Sequence, residues 1–253
     1  MRAASANALG DADALAYIAA VEAADGQVLE SAVKAAINTF VIGCKADGIW
    51  TSIKASCILA GARTLTGCLV PLVGTAPTNN NFVSGDYDRK TGLVGNGSTK
   101  YLNSSYAASS HSNYLSNTHF SLYRAVSGGF ASTPIGVGNP SNAILVQYNG
   151  SANFRILNGG TNINGSGDVA GFMGASRSSS TDYISRYQGV NATHTVSSSA
   201  NTGNVFIFAR NETAASLHSS ARIAFYSIGE SLDLALLDTR VTTLINSYAA
   251  AIP

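Results

Sequence analysis

The glutamates of this chain are Glu22, Glu30, Glu212 and Glu230. Hydrolysis of a glycosidic bond needs one protonated and one ionised carboxyl group flanking that bond. Glu22 and Glu30 fall in an N-terminal stretch that reads as helical, Glu212 and Glu230 stand alone, and Asp168 and Asp182 have no carboxylate close by in sequence. Only a pairing of distant segments would supply the acid and base, so hydrolase chemistry is disfavoured and the expectation is a non-enzyme. Serines abound, but His111, His119, His194 and His218 lie in no G-x-S-x-G or comparable context for a nucleophilic triad. Residues 95–100, GNGSTK, resemble a phosphate loop yet lack the G-x-x-x-x-G-K-[ST] spacing. Asp86 and Asp88, in GDYDRKTG, offer oxygen ligands for calcium. Two acids do not make a site, and turn solvation with Arg89 and Lys90 neutralising the pair is the stronger reading, so no cofactor is expected. Cys44, Cys57 and Cys68 have neither C-x-x-C spacing nor a nearby histidine. That disfavours zinc and favours buried thiols, with one disulfide left open.

Composition narrows the partners. Charged residues make up 11% of the 253 and hydrophobic residues 45%, with a net charge of +1; ordinary soluble domains carry roughly 25% charged residues. The polar load falls on Ser, Asn, Thr and Gly, which make an uncharged, hydrogen-bonding surface. Disordered chains combine low hydrophobicity with high net charge, so a folded protein is expected. No Lys/Arg cluster supplies the footprint of a nucleic-acid binder. No apolar run reaches the length of a membrane span, and the opening MRAASANALGDADAL lacks a signal-peptide core. The chain reads as soluble and unprocessed. Asn103, Asn191 and Asn211 fit Asn-x-Ser/Thr acceptors, which carry no meaning without a secretory signal.

The elements that must position these residues follow from periodicity. Residues 12–24 are Ala-rich, open with Asp11 and Asp13 as N-cap candidates and stop at Asp25-Gly26, which predicts a helix. Leu29, Ala32, Val33, Ala36, Ile37, Phe40, Val41 and Cys44 recur at three- and four-residue steps, a second helix with one apolar face. Ile49, Trp50 and Ile53 suggest a third, short one. Residues 69–81 carry linker chemistry, which divides the chain into a helical region, 1–75, and a second region, 76–253. Residues 92–103, GLVGNGSTKYLN, predict two strands joined by a tight Asn96-Gly97 turn. Beyond them, β-type segments recur at 119–126, 144–148, 154–157, 182–187, 204–209 and 222–228, spaced for an antiparallel sandwich. Phe120, Leu122 and Arg124 alternate with Ser121, Tyr123 and Ala125, which predicts one buried and one wet face. Leu234, Leu237, Val241, Leu244 and Tyr248 then mark a helix opening near Ser231, docked on its own sandwich or packed against a neighbouring subunit.

The candidate contact residues are aromatic and apolar. Tyr101, Tyr106, Tyr114, Tyr123, Tyr148, Tyr183 and Tyr187 sit among Ser, Asn and Thr, an inventory suited to sugar binding or wet protein contacts, or else to rings turned into a sandwich core. Tyr114, Tyr148, Tyr183 and Tyr187 are the candidates for glycan or partner contact. Leu29, Val33, Ile37, Phe40, Leu237, Val241 and Leu244 are the candidates for an assembly face. Trp50, the sole tryptophan, is a core anchor or, less simply, a ligand-stacking surface.

The stretches CKADGIW, IKASCILAGARTL, GTAPTN, DYDRKTGLVGNGSTKYLN and RIAFYSIGESLDLALLDTRVTTLINSYAAAI resemble tailed-phage or prophage virion structural proteins that carry a laminin-G or concanavalin A-like domain. The likeness covers the N-terminal half and the C-terminus, whereas residues 107–200 match only in style, where ligand-contacting loops vary. The resemblance implies a mainly β, antiparallel jelly-roll sandwich, preceded by a small helical region and closed by a C-terminal helix. It implies a virion location after synthesis in the host cytoplasm, with other virion proteins as partners. The leading expectation is a non-catalytic tail, fibre or capsid-surface component, attached by its helical N-terminus and oligomeric like most particle components. A host-glycan-binding adhesin facing surface polysaccharide is the alternative, and a depolymerase the weakest reading.

Overall fold

The computed structural model describes residues 10–127 and 132–253; residues 1–9, part of the stretch read for a missing signal segment, lie outside them. Four α-helices occur among the described residues: α1 (Ala12–Asp25), α2 (Ser31–Ala46), the single turn α3 (Leu65–Cys68) and α4 (Leu234–Ala251). Asp11 caps α1 by accepting the Asp13 amide at 3.0 Å, and Gly26 ends it at φ +63°, a conformation glycine adopts without a Cβ penalty. The Asp233 carboxylate accepts the amides of Ala235 and Leu236 at the start of α4.

The strands, in chain order, begin with β1 (Ile53–Ile58), β2 (Thr78–Asn80), β3 (Tyr87–Asp88), β4 (Gly92–Val94), β5 (Tyr101–Ala107) and β6 (Thr118–Arg124). They continue with β7 (Ser132–Val137), β8 (Ala143–Tyr148), β9 (Ser151–Asn158), β10 (Ile163–Ser166), β11 (Gly171–Arg177) and β12 (Asp182–Tyr187). The last are β13 (Val190–Thr195), β14 (Asn204–Ile207), β15 (Arg210–Asn211), β16 (Ala215–Ser216) and β17 (Arg222–Gly229). The first sheet runs β13-β12-β11-β6-β17-β4-β3, with β1 also on β17; the second runs β10-β9-β8-β7-β14-β5-β2, with β15 and β16 off β7. The chain is a mainly β jelly-roll sandwich of two antiparallel sheets, with N-terminal helices and a C-terminal helix.

Two apolar cores stack through the first sheet. Between the sheets lie Leu93, Leu102, Phe120, Leu122, Ile144, Val146, Phe154, Ile156, Ile207 and Tyr226, among others. On the other side of the first sheet, α1, α2 and α4 bury Val33, Ile37, Phe40, Leu237, Val241 and Leu244 against Phe172, Ala224 and Phe225. A bulge between Ile223 and Phe225 interrupts the β17–β6 register, and Ala224 and Phe225 both belong to the helix-side core. Phe40 meets Phe225 edge-on at 5.8 Å between centroids. The face of β6 expected to be wet therefore lies under helices: Ser121 is fully buried, and Tyr123 and Ala125 pack against the helix-side core.

The helical region is not a separate body. The short helix expected at Ile49, Trp50 and Ile53 is a 3-10 turn over Trp50–Ser52, with Ile53 opening a strand, and β1 shares one edge of β17 with β4, pairing Ile58 with Phe225 while Leu93 pairs with Ile223. The stretch read as a linker is tied in as well: Leu72 donates to the Ser56 carbonyl at 2.9 Å, Ser56 donates to the Val73 carbonyl at 3.0 Å, and β2 pairs with β5. Polar clamps complete the attachment. Asp25 accepts the amides of Arg63 and Thr64 at 2.7 and 2.9 Å, Glu30 takes the Arg89 guanidinium on both oxygens, and Arg240 of α4 grips Asp47 beyond α2. The division at 75/76 thus crosses continuous cores.

The segment around Asn96 is also corrected. Leu93 and Leu102 are fully buried and face each other from opposite sheets, because β4 pairs with β3 and β17 whereas β5 pairs with β2 and β14. The connection is an arch over the sandwich rather than a hairpin. Asn96 shapes it by accepting the amides of Ser98, Thr99 and Lys100 at 3.1, 2.9 and 3.1 Å. Gly92, at φ +90°, is required by close approach, since a Cβ there would lie 2.2 Å from the Ile223 carbonyl oxygen.

Candidate functional site

Among the described residues no helix packs over the second sheet, and the outward positions of β9 are polar. Along β9, Ala152, Phe154 and Ile156 enter the core while Ser151, Asn153 and Arg155 point away from it, as the two-residue period of a strand dictates. Gln147 of β8 lies opposite Asn153, and Leu145 opposite Arg155. With Asn149 of the β8–β9 turn and Thr161 and Ile163 at the β10 edge, these side chains line a cleft of about 220 Å³. Carboxamides, hydroxyls and one guanidinium converge there, and no carboxylate is among the lining residues.

Arg155 is the cation of this cleft. Its Nη1 donates to the Pro140 carbonyl across 3.4 Å, and its Nε is buried without a partner. Partial burial, and after it the neighbouring Arg210 charge, pull its pKa below the ordinary arginine value. Arg210 donates Nε to the Gly138 carbonyl at 2.6 Å and pairs with Glu212 at 3.3 Å.

A second polar cleft, about 390 Å³, opens at the rim between the β7–β8 loop and residues 200–203 and 211–213. Its amides are occupied with one another and with backbone: Asn142 donates to the Ala200 carbonyl at 2.7 Å, Asn201 to Asn142, and Asn211 to the Asn204 carbonyl at 2.8 Å. This rim is turn architecture with its donors spent internally. An apolar groove of about 460 Å³ runs between α2 and α4, lined by Ala32, Ala35, Ala36, Thr243, Ser247 and Ala250 among others.

The residues singled out from sequence mostly serve the interior. Tyr183 and Tyr187 are buried, their hydroxyls donated to the carbonyls of Phe154 and Gly167, so neither presents a ring to a partner. Tyr114 and Tyr148 are half-buried and pack on the inter-sheet core. Strand alternation turned Tyr148, Tyr183 and Tyr187 inward with the apolar set, whereas Tyr114 opens a short 3-10 turn. Leu29, Val33, Ile37, Phe40, Leu237, Val241 and Leu244 are at most 3% exposed. These residues form the chain's own α2–α4 seam, and of the seven only Phe40 and Leu244 reach the groove between those helices. Trp50 is half-buried at the helix-side core, donates Nε1 to Asp13 at 3.2 Å and lies beneath the Lys45 ammonium at 5.7 Å from the ring centroid.

The titratable groups are engaged structurally. Asp86 pairs with Lys100 rather than Arg89 or Lys90, and Asp88 accepts the amides of Lys90 and Thr91 at 3.0 and 2.8 Å. Among the described residues no group of three or more His, Cys, Asp or Glu side chains is placed to hold a metal ion. The three cysteines are free and buried. Burial pushes the Cys44 and Cys57 thiols up to about 12. His119, fully buried, must donate Nδ1 to the Glu230 carbonyl, leaving Nε2 to accept from the Ser227 hydroxyl at 2.6 Å; burial lowers its pKa to about 4. Among the described residues no helix is long and apolar enough to cross a membrane.

Gln147, Asn153, Arg155 and Thr161 were missed by sequence reasoning, which placed this strand at 154–157. The signal was present: residues 151–156, SANFRI, alternate polar and apolar without a break.

No protein-family model matches the chain, and no curated protein matches it. Among solved structures it is similar to NanB sialidase from Streptococcus pneumoniae, at 13% identity and TM-score 0.42, over 59% of this chain and 26% of that one. It is similar to domain 4 of AbnA, an extracellular arabinanase from Geobacillus stearothermophilus solved with arabinotriose, at 13% identity and TM-score 0.41, over 66% of this chain and 82% of that one. A botulinum neurotoxin serotype D binding domain matches at 10% identity and TM-score 0.46, over 76% and 51%. The chain thus spans about a quarter of the sialidase.

Proposed function

We propose that this chain is a non-catalytic carbohydrate-binding sandwich displayed on a tailed-phage particle, with the open face of the second sheet as its binding surface. The observation that carries the reading is the convergence of Gln147, Asn149, Ser151, Asn153 and Thr161 on one cleft of that face. Amide and hydroxyl side chains supply both donors and acceptors, which is what the hydroxyls of a sugar ring require. The apolar Ile163 at the edge suits the non-polar side of such a ring.

The particle setting rests on the sequence resemblance alone. The reading as a binder rather than a depolymerase is supported by the cleft's lack of a lining carboxylate, since bond cleavage by this route needs an acid and a base beside the substrate.

The test is binding of the purified chain to a panel of host-surface polysaccharides, with Gln147→Ala and Asn153→Ala alongside. Saturable binding that either substitution weakens tenfold or more, with no new reducing ends, is the expected result. Binding indifferent to both substitutions would move the site elsewhere, and release of reducing ends would overturn the non-catalytic reading.

A further inference from the structure

Among the described residues, the arginines other than Arg155 each have a carboxylate or carbonyl partner within the protein. Arg63, Arg89, Arg124, Arg186, Arg210 and Arg240 each pair with a carboxylate. Arg177, fully buried, is surrounded instead by the carbonyls of Ile156, Ser179, Asp182 and Val196 and lies 5.2 Å from the centre of the Tyr183 ring. Arg222 donates to the Gly92 carbonyl at 2.7 Å. Arg155 has no carboxylate partner among the described residues, a single long bond through Nη1, and a buried Nε with nothing to donate to. A buried unmet donor is destabilising, and more so when it belongs to a charged group. The feature is therefore expensive, and it sits in the cleft wall among neutral hydrogen-bonding groups.

Resting on the carbohydrate-binding reading above, we propose that this cleft selects saccharides bearing an anionic substituent, a carboxylate or a sulfate ester, which the Arg155 guanidinium receives. Guanidinium presents a planar fork that matches two oxygens of such a group, and the resulting bonds are charge-assisted. Cross-strand register adds to the positive character of the spot. Arg155 lies opposite Leu145, Leu145 opposite Gly136, and Gly136 opposite Arg210, so the two guanidinium-bearing residues stand on one row of the sheet. Glu212 offsets Arg210 from the far side of that row and leaves Arg155 uncompensated. The neighbouring Asn153 and Gln147 then read the ring hydroxyls beside the anionic group. The rim cleft, whose amides are already bonded to one another, offers no such unmet donor to a ligand.

The experiment is calorimetric titration of the full chain with two matched pairs of oligosaccharides, oligogalacturonate against its methyl ester and sulfated dextran oligomers against plain dextran oligomers. Wild-type chain is expected to bind at least one anionic member tenfold or more tighter than its neutral counterpart, and the pair that shows it names the substituent. Arg155→Gln should abolish that preference, Arg155→Lys should restore part of it, and Lys90→Gln, away from the cleft, should change nothing. Circular dichroism and the unfolding midpoint of Arg155→Gln check that the fold survives. Equal affinity for both members of each pair, or a preference that survives Arg155→Gln, overturns the proposal while the carbohydrate reading stands. Absence of binding to these probes and to the polysaccharide panel overturns both.

Discussion

The two sheets obey the same two-residue alternation and end with opposite surfaces. On β6, β11 and β17 the side facing away from the inter-sheet core carries Tyr123, Ala125, Phe172, Ala224 and Phe225, because α1, α2 and α4 lie over it. On β8 and β9 the corresponding side carries Gln147, Ser151, Asn153 and Arg155 beside the buried Leu145, with no helix of the described residues over it. One sheet is therefore scaffold on both faces, and the other is scaffold on one face and surface on the other. Polar groups at the outward positions of the first sheet have to be satisfied internally, as His119, Ser121 and Ser227 are. Groups on the open face can leave a donor for a ligand.

Deleting residues 1–74 tests the comparison most severely. It removes β1 from the edge of β17 and uncovers Phe225, Leu237, Val241 and Leu244, so the remaining chain is expected to aggregate or to lose its near-ultraviolet dichroism. A soluble, cooperatively unfolding 75–253 fragment would show that the helix layer is dispensable. Single truncations come next: Phe40→Ala or Phe225→Ala should each cost about 3–5 kcal/mol in denaturant unfolding, whereas Asn153→Ala on the open face should stay within about 0.5 kcal/mol. Comparable losses at the two sites would erase the distinction between the sheets.

A smaller effect is expected from His119, held neutral in the fold with a pKa of about 4 against an ordinary 6.5. The unfolded chain takes up the proton first, so stability is full above pH 6.5 and falls as pH drops toward 4, by of order 3 kcal/mol. His119→Asn should remove that slope in a series of urea midpoints, and an unchanged slope would assign it to other groups. Least is expected from Glu30, whose carboxyl the Arg89 guanidinium lowers from 4.5 to about 2. Its contribution is present above pH 4.5 and is lost as pH falls toward 2. Glu30→Gln should flatten that window and cost about 1 kcal/mol or less at neutral pH; a larger cost would make this clamp as important as the apolar seam.

Much of the fold was legible from periodicity. The predicted segment 182–187 coincides with β12, 222–228 falls within β17, and the helix with heptad-spaced leucines is α4. The errors share one physical origin, which is that a pattern reports which side of an element is apolar but not what covers it. Asn96-Gly97 correctly marked a change of direction, yet Leu93 and Leu102 found partners in opposite sheets. The apolar faces of α2 and α4 were real, and each was covered by the other. Residues 53–58 became strand because β17 offers an edge beyond β4, a vacancy invisible in one dimension. Tyr183 and Tyr187 followed the apolar alternation of β12 rather than the polar composition around them.

The amino-acid sequence by itself determined the element types, the two caps of α1, the sandwich class and the alternation that turns Ser151, Asn153 and Arg155 to one side of β9. Those features depend on bonds and spacings within a few residues. Only the tertiary structure decided that the helices close over the first sheet and leave the second open, that Arg89 spends its charge on Glu30, and that Arg155 keeps its own without a carboxylate. Those outcomes depend on which distant groups the folded chain brings to each cation, and that proximity has no signature along the chain.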